Sequence, residues 1–307
     1  MRVRSVVHFA RGPWIPFVLA FVALALSSCD RGKSSAAARA AQEDAGVKAR
    51  VVSIGSAVTE TLYALGAGDD LVAVDTSSLF PEAATKLAQV GYQRALSAEG
   101  ILALRPTLVV ASAEAGPPAV LEQLRSAGVR LEVVASEPTV EGVKDRIRRV
   151  AQIAGRDPTA VLAELDRDLT RARVEREKSA AHPKVLVLYA RGANNLHVFG
   201  EQTPAETMLR LAGAENAVRG FEGTKPLTPE ALAGAAPDVI VLPSRGLASL
   251  GGTDALLGVP GVEMTPAGKA KRIVAIDDLL LLGFGPRTGK AAIELGDKLR
   301  GAGAVAK

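Results

Sequence analysis

One segment of this sequence occurs twice, and this repeat limits the folds open to the chain. Residues 96–110 read LSAEGILALRPTLVV and residues 227–241 read LTPEALAGAAPDVIV, so the two copies align without a gap at an offset of 131 residues. Each copy has a Ser or Thr before a helix start, an acid two residues later, and a proline ahead of an apolar strand. We therefore expect two lobes built on one plan.

Strands and helices alternate along both lobes. Short β-branched runs predict strands at 50–54, 71–74, 108–111, 131–134 and 184–188, with helical spacing between several of them. Such alternation predicts an α/β fold with mostly parallel, doubly wound sheets. A charged helix at about 158–180, with no Gly or Pro after its start, predicts a connector. We expect lobes at 50–155 and 183–307, joined by a single long helix at 156–182.

The amino-terminal region predicts export and lipidation. Three arginines precede an apolar run from Trp14 to Leu26, which is typical of a secretory signal peptide. The run ends in Leu-Ser-Ser-Cys29, which resembles the bacterial lipobox, in which the cysteine is lipidated; the alternative is an ordinary signal peptide. Asp30 then resembles a signal for retention at the inner membrane. We expect a signal peptide at 1–28, a flexible tether at 29–49, and a periplasmic protein anchored by lipid only.

Charge and composition exclude several classes of function. The net charge is +4, but three arginines and no acid precede Cys29, so the remaining chain is close to neutral. A nucleic-acid partner therefore has no electrostatic support. Cys29 is the only cysteine, which excludes a disulfide framework. Nucleophile elbows, zinc-protease helices and phosphate-binding loops are also missing from the sequence, so we do not expect an enzyme.

A tyrosine lies in an insertion that only the first lobe contains. The landmarks Gly66 and Gly213 are offset by 147 residues, so the first lobe has 16 extra residues before the repeat. They include Phe80 and the segment Gly-Tyr92-Gln-Arg94. A phenolate is a hard anionic ligand that suits ferric haem iron, and a nearby guanidinium favours the ionised phenol. The alternative is a tyrosine that closes a turn while Arg94 points into solvent.

Three stretches of the sequence resemble one known family. The first consists of residues 74–77, 80–84 and 90–100 (VDTS, FPEAA and VGYQRALSAEG). The second is 225–230 (KPLTPE), and the third consists of 250–252 and 279–289 (LGG and LLLLGFGPRTG). The chain resembles the haem-binding substrate-binding proteins of bacterial ABC haem importers. That resemblance implies a class III periplasmic-binding-protein-like fold, with haem as the transported ligand in the cleft between the lobes. It also implies an ABC permease and its ATPase as partners of a monomeric protein.

The resemblance assigns roles to particular residues. In that family the tyrosine of the Gly-Tyr-x-Arg/Lys segment ligates the iron, and the basic residue supports it, which implies Tyr92 and Arg94 here. The porphyrin would need apolar walls and its propionates would need cationic partners. Our candidates for these are Leu79, Phe80, Phe284, Arg245 and Arg287.

Some members of the family use a second-lobe histidine for a further haem. The corresponding stretch here is Leu-Tyr189-Ala-Arg-Gly, which contains no histidine. Tyr189 could serve instead, or could simply pack at a strand end. His197 is expected to be a strand residue, and His182 precedes a proline, so neither is favoured as an iron ligand.

Two acids at helix starts are candidates for permease docking. Glu60 and Glu206 each follow the first strand of their lobe at a similar distance. In this class of protein one acid per lobe docks onto arginines of the permease. The alternative is an acid that stabilises the start of its own helix.

Other functions remain open at this point. The same fold could bind a ferric siderophore or cobalamin. A haem-dependent peroxidase, a hydrolase, or a structural or signalling lipoprotein are further alternatives.

Overall fold

The computed structural model describes residues 49–179, 182–192 and 195–304, with side chains described to residue 302. The predicted signal peptide, the lipidation site Cys29 and nearly all of the tether lie outside the described residues. Within the described residues, none of the helices has the length and apolar character needed to cross a membrane.

The first lobe is a parallel five-stranded sheet with helices on its two faces. Its strands run in the order β3-β2-β1-β6-β7. They are β1 (Val51–Ile54), β2 (Leu71–Val74), β3 (Ala88–Gln89), β6 (Leu108–Ser112) and β7 (Arg130–Val134). Central strands β1 and β6 are buried on both faces, as is usual for a parallel sheet, and their residues are apolar except Ser53 and Ser112. A separate antiparallel hairpin pairs β4 (Gly91–Tyr92) with β5 (Ala95–Leu96).

Four helices complete the first lobe. They are α1 (Ser56–Ala64), α2 (Ala98–Leu102), α3 (Pro118–Ser126) and α4 (Val140–Ala154). Helix α4 has both of the end signals that its sequence contains. Thr139 accepts a hydrogen bond from the amide of Gly142 at 2.9 Å, and Gly155 closes the helix with φ of 62°.

Helix α5 (Thr159–Glu177) leads from the first lobe to the second. The second sheet runs in the order β11-β9-β8-β12-β13, with a further short strand, β10, paired to β8. The strands are β8 (Lys184–Ala190), β9 (Leu196–Phe199), β10 (Glu215–Asn216), β11 (Thr224–Pro226), β12 (Val239–Pro243) and β13 (Ile273–Ile276). Strands β10, β12 and β13 continue the parallel part of the sheet, and β9 is antiparallel to both of its neighbours.

Seven helices surround the second sheet. They are α6 (Pro204–Ala212), α7 (Pro229–Ala235), α8 (Ser244–Leu250), α9 (Thr253–Leu257), α10 (Pro266–Lys269), α11 (Asp278–Leu282) and α12 (Thr288–Ala304). The core of this lobe also receives Val143 and Ile147 from α4 and Leu165 from α5. Apolar packing therefore continues from one lobe into the other.

The predicted fold class is confirmed: two doubly wound α/β lobes are joined by one long helix. The repeated segment forms α2 followed by β6 in the first lobe, and α7 followed by β12 in the second. The connecting helix begins and ends within the predicted span. The lobe boundaries at 155 and 183 stay predictions.

Candidate functional site

The β4–β5 hairpin positions Tyr92 at the carboxyl edge of the first sheet. Gly91, with φ of 93°, permits the turn into the hairpin, and its carbonyl accepts a hydrogen bond from the amide of Thr76 at 2.9 Å. On the other side, the amide of Gly116 donates to the carbonyl of Gln93 at 2.8 Å. The hairpin is thus fixed at both edges, while the Tyr92 side chain is 41% exposed.

Tyr92 faces a cleft that both lobes line. The cleft has a volume of about 770 Å³, within the range of about 300–1,000 Å³ that small-molecule sites occupy. From the first lobe it receives Leu79 and Arg94 beside Tyr92, and from the second lobe Tyr189, Arg191 and Arg245. Tyr92, Arg94, Leu79 and Arg245, four of the residues predicted from the sequence, are therefore brought together. Their roles toward a ligand stay predictions.

Tyr189 and Arg191 form a second tyrosine–arginine pair on the opposite wall. The guanidinium Nε of Arg191 donates to the hydroxyl oxygen of Tyr189 at 2.7 Å, and its carbon lies 5.6 Å from the centre of the ring. The Tyr189 ring also packs edge-on against Phe199, with ring centres 6.3 Å apart. Tyr189 is therefore both packed at a strand end and exposed to the cleft, so the two alternatives that the sequence offered are compatible.

The sequence contained a signal for this pair. Both Tyr92-Gln-Arg94 and Tyr189-Ala-Arg191 have the form Tyr-x-Arg, one in each lobe. Tyr189 is a candidate from the sequence alone, whereas the contact of Arg191 with Tyr189 is evident only in the structure. No hydrogen bond joins Arg94 to Tyr92 among the described residues, whereas Arg191 does bond to Tyr189 in the second lobe. The predicted support of Tyr92 by Arg94 stays a prediction.

The cleft favours an anionic, partly apolar ligand. Three arginines line it against one carboxylate, Asp278, which accepts a hydrogen bond from the amide of Arg245 at 3.2 Å. Leucine side chains supply much of the remaining wall. Cationic groups beside an apolar wall suit a molecule that has both hydrophobic and acidic parts.

Three of the predicted residues lie together in a different cavity. Glu60, Phe80 and Arg287 line a space of about 360 Å³ between α1, α5 and the start of α12. The Arg287 guanidinium carbon stacks 3.5 Å from the centre of the Phe80 ring, and its Nη2 is 2.8 Å from Glu60 Oε2. Phe80 and Arg287 are thus engaged away from the Tyr92 cleft. The structure does not bring them to the cleft, and their roles as porphyrin wall and propionate partner stay predictions.

Phe284 is also turned away from the cleft. It adopts φ of 50° and is only 3% exposed, in the core of the second lobe. Its ring touches a small cavity behind the cleft, but it does not line the cleft itself. The apolar wall predicted from Phe284 is provided instead by Leu279 and Leu282 of α11.

The two candidate docking acids have different surroundings. Glu60 is 5% exposed and its carboxylate is held by Arg287 of the other lobe, so it cannot reach an arginine on a partner in this conformation. Docking through Glu60 stays a prediction and would require this carboxylate to leave Arg287. Glu206 is partly exposed and takes part in the start of α6, where its carboxylate accepts from the amide of Gln202 at 2.7 Å and its own amide donates to Thr203. Docking through Glu206 stays a prediction.

Among the described residues, no histidine lines the cleft. His197 lies in strand β9, opposite Tyr189 and Pro226, and His182 Nδ1 lies 3.1 Å from the carbonyl oxygen of Gly213. The part of the chain that the structure describes also contains no cluster of three or more His, Cys, Asp or Glu that could hold a metal ion.

A two-lobed α/β protein with one helical connector and a cleft between the lobes has the architecture of a solute-binding protein. The sequence profile described as "Periplasmic binding protein" matches residues 51–280, so the chain belongs to the periplasmic binding protein family. This is a family of binding proteins, and its solved members establish the class III fold for this chain.

Solved structures and curated relatives differ in the ligand that their names give. The chain is similar to the periplasmic heme-binding protein RhuT from Roseiflexus sp. RS-1, at 42% identity and a TM-score of 0.81 over 83% of this chain and 99% of that one. It is similar to the periplasmic heme-binding protein BhuT in complex with two hemes, at 46% identity and a TM-score of 0.79 over 84% and 99%. The vitamin B12-binding protein of Vibrio vulnificus (strain CMCP6) is 30% identical over 58% of this chain. That match spans only 64% of the relative's length.

Proposed function

We propose that this protein binds haem in the interlobe cleft and delivers it to an ABC importer. The observation on which the proposal depends is the placement of two tyrosines, each in a Tyr-x-Arg segment, on opposite walls of one cleft. The similarity to haem-binding proteins along 99% of their length supports the same cargo. Binding and release need no covalent chemistry, so the protein acts as a carrier and not as an enzyme.

In the proposed complex Tyr92 ligates the iron. A phenolate oxygen is an established axial ligand of ferric haem, and Tyr92 is the more exposed of the two cleft tyrosines. Arg94 lies on the same hairpin and would stabilise the phenolate once the ring is in place. Leu79 and the leucines of α11 would pack against the porphyrin, and Arg245 would attract its acidic edge. Tyr189, held by Arg191, would close the cleft from the other lobe.

The proposed cellular setting follows from the family and from the amino-terminal sequence. A periplasmic location agrees with membership of a periplasmic binding protein family. We further propose that Cys29 is lipidated, that the lipid is the only attachment to the membrane, and that the protein acts as a monomer beside its permease and ATPase.

A titration with hemin tests the proposed cargo and the iron ligand together. We expect the purified protein to give a Soret band and the charge-transfer bands of tyrosinate-bound ferric haem. Tyr92→Phe removes only the ligand oxygen, so these charge-transfer bands should disappear. Tyr189→Phe is the matched variant on the opposite wall and should keep them. A wild-type protein without a Soret shift, or a Tyr92→Phe spectrum identical to wild type, would contradict the proposal.

Cobalamin is the second candidate cargo, because curated relatives bear the name vitamin B12-binding protein. That similarity covers a shorter part of the chain at lower identity than the similarity to haem-binding proteins. Calorimetric titration with cyanocobalamin separates the two cargoes. Tight cobalamin binding without hemin binding would replace the proposed function with this one.

A further inference from the structure

A smaller polar cavity adjoins the cleft behind the Tyr92 hairpin. It has a volume of about 260 Å³ and shares Ser56, Gln93, Arg94, Leu282 and Gly283 with the cleft, so the two spaces are neighbours. Residues of both lobes line it. A side arm of a molecule bound in the cleft could therefore enter it.

A buried arginine lines this cavity with part of its guanidinium unused. Arg146 is 4% exposed; its Nε donates to the carbonyl of Ala135 at 3.2 Å and its Nη1 to the carbonyl of Phe284 in the other lobe. No described residue accepts a hydrogen bond from its Nη2. Burial lowers the pKa of Arg146, and the charge of Glu114 opposes that shift. The carbonyl groups that bind Arg146 carry no net charge, so they balance its positive charge only in part. A bound anion would balance it fully.

The amino-terminal end of α1 opens into the same cavity. Gly55, Ser56 and Ala57 line it, and no side chain caps the helix. The first amides of a helix have no partner inside the helix, so they attract an anion. A Cβ on Gly55 would lie 2.8 Å from Ser112 Cβ, so only glycine allows this close approach.

Further polar groups line the cavity. Arg94 adds a second guanidinium, which makes no hydrogen bond or ion pair with any described residue. The hydroxyls of Ser112 and Ser136 donate to Gln93 at 3.1 Å and to Glu114 at 2.8 Å. Two arginines and one carboxylate leave the lining cationic overall.

We propose that this cavity binds a carboxylate arm of the cargo, with Arg146, Arg94 and the first amides of α1 as its partners. This inference rests on the proposed function, because it assumes a porphyrin in the cleft against Tyr92. Arg146 lies beside the cleft, where a carboxylate of the cargo can reach it, whereas Arg287 lines the other cavity and is paired with Glu60. Because Arg146 also binds the carbonyl of Phe284, the carboxylate is recognised where the two lobes meet.

The test places a negative charge in the cavity without weakening the fold. Ala57 lies in the first turn of α1, where an aspartate stabilises a helix. Ala57→Asp should bind hemin at least about tenfold more weakly than Ala57→Asn, which has a side chain of equal size and no charge. Haem dimethyl ester, whose arms are neutral, should bind the two variants with a ratio near one. Thermal unfolding of both variants verifies that each is folded.

A second variant should act in the opposite direction. Glu114→Gln keeps an acceptor for Ser136 and removes the negative charge, so hemin should bind severalfold more tightly while the ester is unaffected. The proposed subsite is contradicted if Ala57→Asp and Ala57→Asn bind hemin with equal affinity. It is also contradicted if both variants weaken the binding of hemin and of its ester to the same extent, or if Glu114→Gln leaves the affinity for hemin unchanged. Wild-type protein that binds neither hemin nor its ester overturns the proposed function itself. Wild-type protein that binds the ester as tightly as hemin overturns only the subsite.

Discussion

The ion pair between Glu60 and Arg287 is the most enclosed contact between charged residues of the two lobes. Their side chains are 7% and 20% exposed, and the amide of Arg287 adds a second hydrogen bond to Glu60 Oε1 at 3.2 Å. The stacked ring of Phe80 shields one face of the guanidinium. Removing one partner of such a pair leaves a buried charge without compensation.

We therefore expect Arg287→Met to destabilise the protein by roughly 3–5 kcal/mol. Methionine retains apolar contact with Phe80, so the loss would reflect the orphaned carboxylate of Glu60. The free energy of unfolding in urea, followed by circular dichroism at neutral pH, measures the effect. Adding Glu60→Gln to Arg287→Met should restore part of the loss, and a double variant no better than the single one would contradict this explanation.

Prediction at the residue level depends on whether the cause is local. Gly91 indicates a turn beside Tyr92, and the structure has the β4–β5 hairpin at that place. Glu60 and Arg287 are 227 positions apart, and each fits a local role near a helix start. Only the folded chain brings them together, so their ion pair could not be predicted from the sequence around either residue.

At the level of elements, connecting helix α5 packs closely against α12. Gly289 lies at the contact: a Cβ there would lie 2.5 Å from Asp168 Cβ and 2.8 Å from the amide nitrogen of Leu169. Those atoms belong to α5 and include its backbone, so they cannot move aside without shifting the helix. The glycine thus sets the distance between the connector and the second lobe.

Gly289→Ala should accordingly cost about 1–3 kcal/mol, the usual effect of overpacking a tight contact. Gly301 provides the matched control within the same helix, because nothing lies within 4 Å of its missing Cβ. Gly301→Ala should be neutral or stabilise by up to about 1 kcal/mol through helix propensity. Denaturant unfolding of both variants checks the prediction, which fails if the two substitutions have the same effect.

An ion pair between the same two helices predicts a small pH dependence. Glu164 of α5 binds Lys290 of α12, and the hydrogen bond and charge of Lys290 lower the pKa of Glu164. The carboxylate therefore contributes stability above its unfolded pKa of about 4.5, and this is lost as the pH falls through the lower folded value. The hydrogen bond and charge of Glu164 raise the pKa of Lys290, whose contribution is lost only in alkaline solution.

Both side chains are about half exposed, at 52% and 53%, so the pair should contribute less than about 1 kcal/mol. Glu164→Gln should be slightly less stable than wild type at pH 7 and indistinguishable from it near pH 3. Urea unfolding at the two pH values measures this difference. A deficit that stays constant with pH would show that the charge on Glu164 is not its cause.

Elements with strong periodicity were predictable, and short ones were not. Strands β1, β2, β6 and β8 follow from β-branched runs, and α4 from its cap and its spacing of apolar residues. Helices α8, α9 and α10 have four to seven residues each, too few for a period to be visible. The side-chain direction of Phe284 depends on a positive φ that residue preference does not predict.

At the level of the whole molecule, four features of the described residues restrict movement of one lobe relative to the other. Helix α5 leads from one lobe to the other, and Val143 and Ile147 of α4 extend the core of the second lobe. The Glu60–Arg287 pair and the bond from Arg146 to the carbonyl of Phe284 also cross between the lobes. Opening the cleft widely would expose this apolar surface and break both polar contacts at once.

Ligand binding should therefore change the overall shape very little. We expect the radius of gyration from small-angle X-ray scattering to agree within error for the protein with and without hemin, because a large movement of the lobes would break these contacts. Arg287→Met removes one of these contacts and should enlarge the difference between the two states. A marked compaction of the wild-type protein on adding hemin would mean that these contacts open readily. The connecting helix, together with the packing around it, would then act as a hinge instead of a rigid spacer.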